Sequence, residues 1–361
     1  MDSFRLYRTW FGPLAQLSPD GCPSRVRNLT WLIVGLYRAM NVHLSAIVRK
    51  WPLSAKNPSL WRRLERFLSN PAVHVREWYE PVARQWLHEA ASSLGEIRLI
   101  VDGTKVGFGH QLLIVCLAFR RRAVPLAWTW VPSSRGHSSA LVQLALLAYV
   151  RRLLPKRARV ILVGDSEFGS VVVMRHVRHW RLAYVLRQKG SHLVRAKSSR
   201  QWQPFAQLVS RAGQSVWWSE ACLTQQWRYP TAVLAYWAKG EKEPWLLATN
   251  LPDARTTRRA YQRRMWIDEL FGDLKGHGCD LEATHLRHFM RLSRLTLAVC
   301  LLYSWLLQVG RMVIRQGQRD LVDRHDRRDL SLARIGHDMI EKWLALGRPI
   351  AITPAALVSG R

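Results

Sequence analysis

Ile97-Arg-Leu-Ile-Val101, Leu112-Leu-Ile-Val-Cys-Leu-Ala118 and Val124-Pro-Leu-Ala-Trp-Thr-Trp-Val131 are three short β-rich runs separated by glycine or basic turns. A helical stretch follows, with Leu141, Leu144, Ala145, Leu147 and Val150 on one stripe. The apolar run Val160-Ile-Leu-Val163 then ends in Gly164-Asp165, a helix occupies residues 171–180, and Ala183-Tyr-Val-Leu186 reads as another strand. Three strands, helix, strand, helix, strand predicts an α/β fold: a mixed sheet with helices on its faces.

The flanks have a different texture. Residues 28–92 read as helical, from the spacing of Leu29, Leu32, Leu36, Met40, Leu44 and Ile47 and then of Leu60, Leu64, Phe67 and Leu68. Pro52, Pro58 and Pro71 cut the segment into pieces, and Arg49, Lys50, Lys56, Arg62, Arg63 and Arg66 crowd its middle, a composition that suits DNA contact. Residues 190–250 hold Trp202, Trp217, Trp218, Trp227, Trp237 and Trp245, strand-like segments and a hairpin signal at Lys239-Gly-Glu-Lys-Glu243, so a β-rich insertion is expected there. From Asn250 to about Leu346 the chain reads as helical again. The expected layout is a helical N-terminal region (1–94), a core (95–189 and 251–290), the β-rich insertion (190–250) and a C-terminal helical region (291–361).

Composition narrows the function. The 361 residues include 48% hydrophobic and 22% charged side chains, enough apolar material for a core, which excludes disorder and collagen-like repeats. Lys+Arg number 55 against 25 Asp+Glu, a formal charge of +30. That excess strains a compact state unless a polyanion screens it, and it points to nucleic acid as the partner, ahead of an acidic membrane surface. The five cysteines are scattered singly with no C-x-x-C pair, which argues against a disulfide framework or zinc finger and fits a reducing cytoplasm. Residues 1–13 lack the apolar core of a signal peptide, and the apolar stretch between Arg294 and Arg311 contains Ser304 and Gln308 and reads as a buried helix rather than a membrane span.

Acidic residues are scarce, so their positions carry information. Asp102 follows the strand ending at Val101, and Asp165 follows the strand ending at Val163 and precedes a helix. Functional groups of open α/β sheets gather at the carboxyl ends of strands, and paired carboxylates there make oxygen-rich sites for Mg²⁺ or Mn²⁺. A third carboxylate comes from Tyr261-Gln-Arg-Arg-Met-Trp-Ile-Asp-Glu-Leu-Phe-Gly-Asp-Leu-Lys275. On a continuous helix Tyr261, Arg264, Asp268 and Lys275 share an arc of roughly 60°, with Glu269 about 100° off that stripe. A phenol, a guanidinium, a carboxylate and an ammonium on one face suit the holding of a phosphodiester beside metal ions. Weaker candidates are Glu167, two residues after Asp165; Lys105, Arg187 and Lys189 near strand ends; and His277, His285 and His288 around Cys279, whose spacing fits no standard zinc site.

The Tyr261-x2-Arg264-x3-Asp268-x6-Lys275 pattern, within Trp266-Ile-Asp-Glu-Leu-Phe271 and Leu274-Lys275, resembles the Tyr-Arg-Glu-Lys signature of bacterial insertion-sequence DDE transposases. Asp102 in Val-Asp-Gly-Thr and Asp165 in Val-Gly-Asp-Ser-Glu-Phe-Gly are similar to that family's first two catalytic aspartates, and the gap before Asp268 resembles its β-rich insertion. The resemblance spans about residues 25–345. It implies a ribonuclease H-like core and a DNA-binding N-terminal region. It also implies two Mg²⁺ ions, with Mn²⁺ as a substitute, held by Asp102, Asp165 and Asp268. Tyr261, Arg264 and Lys275 would contact DNA, and one insertion tryptophan would stack on an unpaired base. Cleavage at terminal inverted repeats of double-stranded DNA and strand transfer into a target would follow, by a homodimer acting in the bacterial cytoplasm on nucleoid DNA. The family's third acid is usually Glu, whereas Asp268 holds that position here, and Glu269 next to it is the alternative third catalytic acid if the helix shifts locally. A simple metal-dependent nuclease and a catalytically impaired transposase-derived DNA-binding protein are the alternatives.

Overall fold

A computed structural model describes residues 2–107, 109–132, 138–276 and 278–350. Five helices precede the first strand: α1 (Asp2–Leu17), α2 (Pro23–Ala39), α3 (Leu44–Val48), α4 (Asn57–Ser69) and α5 (Val75–Leu94). The first lies ahead of the stretch whose spacing reads as helical (28–92) but within the helical N-terminal region expected, and Leu6, Trp10, Leu14 and Leu17 bury one face at helical spacing. Pro58 opens α4 instead of breaking it, since a proline in the first turn costs no internal hydrogen bond.

The strands β1 (Glu96–Val106), β2 (His110–Phe119) and β3 (Arg122–Pro132) form a meander and lead into α6 (Ala140–Leu153). Then come β4 (Arg159–Gly164), α7 (Val171–His179) and β5 (Ala183–Arg187), with β4 parallel to both β1 and β5. Pro125 is tolerated because β3 is an edge strand, and the ladder is irregular at Val115/Cys116, opposite it. The buried stripe of α6 departs from expectation: Leu141 and Ala145 face solvent, while Gln143 lies inside with Leu146, Leu147 and Val150. Gln143 is drawn in by hydrogen bonds, donating to the Ser138 and Glu167 carbonyls.

The tryptophan-rich segment is part of the same sheet. It contributes β6 (Leu193–Ala196), β7 (Gln203–Pro204), β8 (Ser215–Leu223), β9 (Tyr229–Tyr236) and β10 (Trp245–Thr249), and β10 pairs antiparallel with β5. One ten-stranded mixed sheet results, in the order β3-β2-β1-β4-β5-β10-β9-β8-β6-β7. Between β9 and β10 the chain turns through Gly240 at φ +85°, a conformation glycine adopts without penalty.

The helical stretch expected over 261–275 is not continuous. α8 (Ala254–Gln262) and α9 (Trp266–Leu274) are separated by a 3₁₀ turn over Arg263–Met265. That turn advances each residue by about 120° instead of about 100°, so Tyr261 is rotated by roughly 60° relative to Asp268 from the register of a regular helix.

After α9 come α10 (Phe289–Arg315) and α11 (Leu332–Ala345). α10 is apolar and long enough to cross a membrane by length and composition, yet 83% of its most apolar window is buried inside the fold. It ties the two ends of the chain together. Buried Arg294 donates to the carbonyls of Leu68 and Val73, satisfying the end of α4. Thr296 accepts from Trp130 of β3, and Ser304 bonds the Tyr79 hydroxyl, which donates to Pro125. Trp305 packs edge-on to Trp10.

Candidate active site

Parallel pairing of β1 with β4 ends at Val101 opposite Gly164. The next residues on the two strands are Asp102 and Asp165, so the two carboxylates leave neighbouring strands at the same level. Asp102 lies within β1, which runs on to Val106 against β2, and does not follow its end as the apolar run had suggested. Its partner across β2 is Ile114, and its own Oδ1 accepts from the Gly103 amide at 2.8 Å.

Asp102 is buried, and burial pushes its carboxyl up to about 6. Arg264 and the Gly103 amide oppose that shift, while the negative charges of Asp165 and Asp268 add to it. Asp268, half exposed on α9, is also raised, by desolvation first and by Asp165, against the pull of Arg264. Asp102 and Asp268 therefore both feel the charge of Asp165, although 63 and 103 residues separate the three in turn along the chain. Arg264 is the cation among them: Nη2 lies 2.7 Å from Asp102 Oδ2 and Nη1 4.0 Å from Asp268 Oδ2.

The 3₁₀ turn sends the remaining helical residues in separate directions. Tyr261 is buried beneath Trp245, ring centroids 5.1 Å apart, and its hydroxyl is pushed up to about 12 by burial and by the charge of Asp165. Lys275 follows the last turn of α9 and reaches Glu282 at 2.9 Å. Glu269 turns the other way and pairs with the buried Arg122 at the start of β3. Of the two adjacent acids, Asp268 faces Arg264 and Glu269 does not.

Two further groups border the site. Arg187, at the carboxyl end of β5, pairs with Glu243 at 2.6 Å and feels both Tyr261 and Asp165. Glu167 accepts from Gln111 Nε2 at 3.0 Å and from the Ser138 amide at 2.7 Å. Gln111 crosses over Gly103, where a Cβ would lie 2.4 Å from its Nε2. This buried amide network beside Asp102 had only one sequence signal, Glu167 itself; its glutamines carry no periodic mark.

Other sequence candidates scatter. Cys279 is buried with its thiol pushed up to about 12, His288 caps α10 by accepting from the Met290 amide, and His285 packs edge-on to His43. His277 lies outside the described residues. Of the insertion tryptophans, Trp227 is exposed, with the Arg175 guanidinium 4.8 Å from its ring centroid.

The all-oxygen donors of Asp102, Asp165 and Asp268 fit a hard divalent cation, and the proton affinity that burial, with the neighbouring acids, confers on Asp102 is what a cation would relieve. As they lie, no three His, Cys, Asp or Glu side chains among the described residues are close enough to share one ion, and Arg264 bridges two of the acids.

No protein-family model and no curated protein matches the chain. Among solved structures it is similar to a cryo-EM structure of the piggyBac transposase synaptic complex with hairpin DNA, at 11% identity over 99% of this chain and 84% of that chain, with a TM-score of 0.45. At that level the likeness decides neither the fold family nor the activity of this chain.

Proposed function

We propose that the chain is a DNA transposase of the DDE kind, with a ribonuclease H-like core formed by β1 to β5 and the helices that pack on it. The observation that carries this reading is that Arg264 bridges Asp102 and Asp268 while Asp165 leaves the neighbouring strand at the level of Asp102, in a protein of charge +30. Asp102, Asp165 and Asp268 would hold two Mg²⁺ ions, or Mn²⁺ in their place, and Glu269 is left to its pairing with Arg122. Such ions, when bound, supply a Lewis acid for a phosphoryl oxygen and lower the pKa of a bound water.

The chain's own residues do the positioning. Arg264, drawn off Asp102, would turn its guanidinium to a phosphate of the scissile strand, where two parallel hydrogen bonds fix orientation as well as charge. Arg187 would neutralise the adjoining phosphate. Tyr261, buried under Trp245, would hold the β10–α8 junction against Asp165 rather than meet DNA directly. Exposed Trp227 is the insertion tryptophan best presented for stacking on an unpaired base. Joining two element ends calls for a homodimer, acting on duplex DNA in the bacterial cytoplasm.

The test uses plasmid DNA carrying the flanking termini of the coding region. Mg²⁺-dependent nicking confined to those termini, lost in Asp102→Ala and Asp165→Ala, is the expected result. Nicking without preference for ends would favour a simple nuclease. Tight, salt-sensitive binding with no nicking would favour a DNA-binding protein that has lost catalysis. Cleavage that persists in both variants would overturn the assignment.

A further inference from the structure

A groove of about 670 Å³ opens between the end of α2, helix α3 and the loop ahead of α10, and its polar lining is Asn41, His43, Ser45, Arg49, Lys50 and His285. Among the described residues no carboxylate lines it. Asp280 is engaged through Asn41 Nδ2 at 3.1 Å, and Glu282 is turned to Lys275. The His43 and His285 rings meet edge-on at 4.8 Å and 83°. His43 Nδ1 is bonded to Ser45 Oγ at 2.8 Å, and the His43 amide donates to Asn41 Oδ1 at 2.7 Å, so the ring is fixed and its Nε2 is the nitrogen free of that bond.

We propose that this groove is a proton-linked phosphate site that takes a backbone phosphate of duplex DNA, with His43 charged only when the phosphate is seated. An imidazole this close to a second ring and to Arg49 disfavours protonation while no anion is present, and an anion placed beside it reverses the balance. Burial, His285 and Arg49 hold His43 below the ordinary histidine value, which is the state such a site needs before it is filled. The charged and titratable groups around His43 are Arg49 and Lys50 on its own helix and its extension, His285 from the facing loop, and Asp280 behind Asn41. The partner is a polymer backbone because the groove is open and Arg49 and Lys50 stand exposed at its rim. A second open groove, of about 810 Å³, has Arg62, Arg66 and Arg291 on α4 and α10 in its lining, with Glu65 as its one carboxylate among the described residues. The inference rests on the DNA reading above only for its choice of ligand.

The experiment measures binding of the full chain to a labelled duplex at fixed salt, without divalent cations, between about pH 8 and about pH 6. Wild-type affinity is expected to rise as pH falls, by up to about tenfold per pH unit for each proton taken up. The His43→Gln/His285→Gln variant, compared with itself across the same pH range, should lose most of that rise. A variant that keeps the full pH dependence overturns the site. Should the double variant fail to fold, ring-proton NMR of the wild type decides: a titration midpoint of His43 that moves up on adding duplex supports the site, and an unmoved midpoint overturns it. Inorganic phosphate at matched phosphate concentration is the control, and an equal shift with it would mean a free-anion site and overturn the DNA assignment. Because binding is read without metal, failed cleavage leaves this result intact.

Discussion

Arg264 reaches across 162 residues of sequence to hold Asp102, with 2.7 Å between Nη2 and Oδ2. The pair ties the turn between α8 and α9 to the middle of β1, and it occupies the carboxylate that a divalent ion would need. Arg264→Ala should therefore bind Mn²⁺ several-fold more tightly, measured by calorimetry, while losing at least about 100-fold in DNA nicking because the phosphate loses its guanidinium. Unchanged Mn²⁺ affinity would mean that Arg264 and metal do not compete.

The raised Asp102 makes a prediction about pH. An acid whose folded value lies above its unfolded value destabilises the fold once ionised. The cost is absent below about pH 4, grows as pH rises to about 6 and is complete above that. It amounts to on the order of 3 kcal/mol at neutral pH. Asp102→Asn should raise the thermal midpoint of the metal-free protein at pH 7 more than at pH 4, and abolish nicking. A variant no more stable than wild type at pH 7 would contradict the burial argument.

Asp268 and Glu269 should separate cleanly. Asp268→Asn is expected to lose nicking by at least about 100-fold with little change in stability, since the side chain is half exposed. Glu269→Gln should keep nicking but destabilise the fold by about 1–3 kcal/mol, because Arg122 is left buried with its charge poorly matched. Denaturant midpoints and cleavage rates measured on the same preparations would expose a reversal of these roles.

Gly103→Ala tests the amide network. The added methyl would meet Gln111 Nε2 at 2.4 Å and push it from Glu167. A loss of about 1–3 kcal/mol is expected, with slower nicking from disturbance beside Asp102. Restored stability in Gly103→Ala/Gln111→Ala would confirm the contact as the cause.

Salt dependence addresses the groove on α4 and α10. Replacing Arg62, Arg66 or Arg291 by Gln should weaken DNA binding alike across sequences and lower the slope of log affinity against log salt by about 1 for each phosphate contact removed. A change in sequence preference at constant slope would point to base reading instead.

The sequence made the acids easier to find than their surroundings. An apolar run ending in an aspartate marked Asp102 and Asp165, because strand hydrophobicity and a lone acid are both local signals. Asp268 was marked by its spacing from Arg264, which survives the 3₁₀ turn since the two remain within ion-pair reach. Lys275 shared that spacing and went elsewhere, because α9 stops at Leu274 and Glu282 captures the ammonium. Gln143 could not be read from periodicity: it fills a buried position that an apolar residue would normally announce, and its hydrogen-bond partners lie on other elements. Nor did the tryptophan-rich stretch announce that β10 would lie against β5, since strand pairing joins residues remote in sequence.

Arg294 fastens α10 to the turn after α4, while Thr296 and Ser304 fasten the same helix to β3 and to Tyr79 on α5. A duplex gripped by Arg62 and Arg66 would thus be held by the same block of protein that carries the three acids, with no tether between grip and blade. The distance from the gripped base pairs to the cut would be set like the jaw of a fixed gauge, and trimming away the first ninety-odd residues should yield an insoluble remnant instead of a freestanding nuclease.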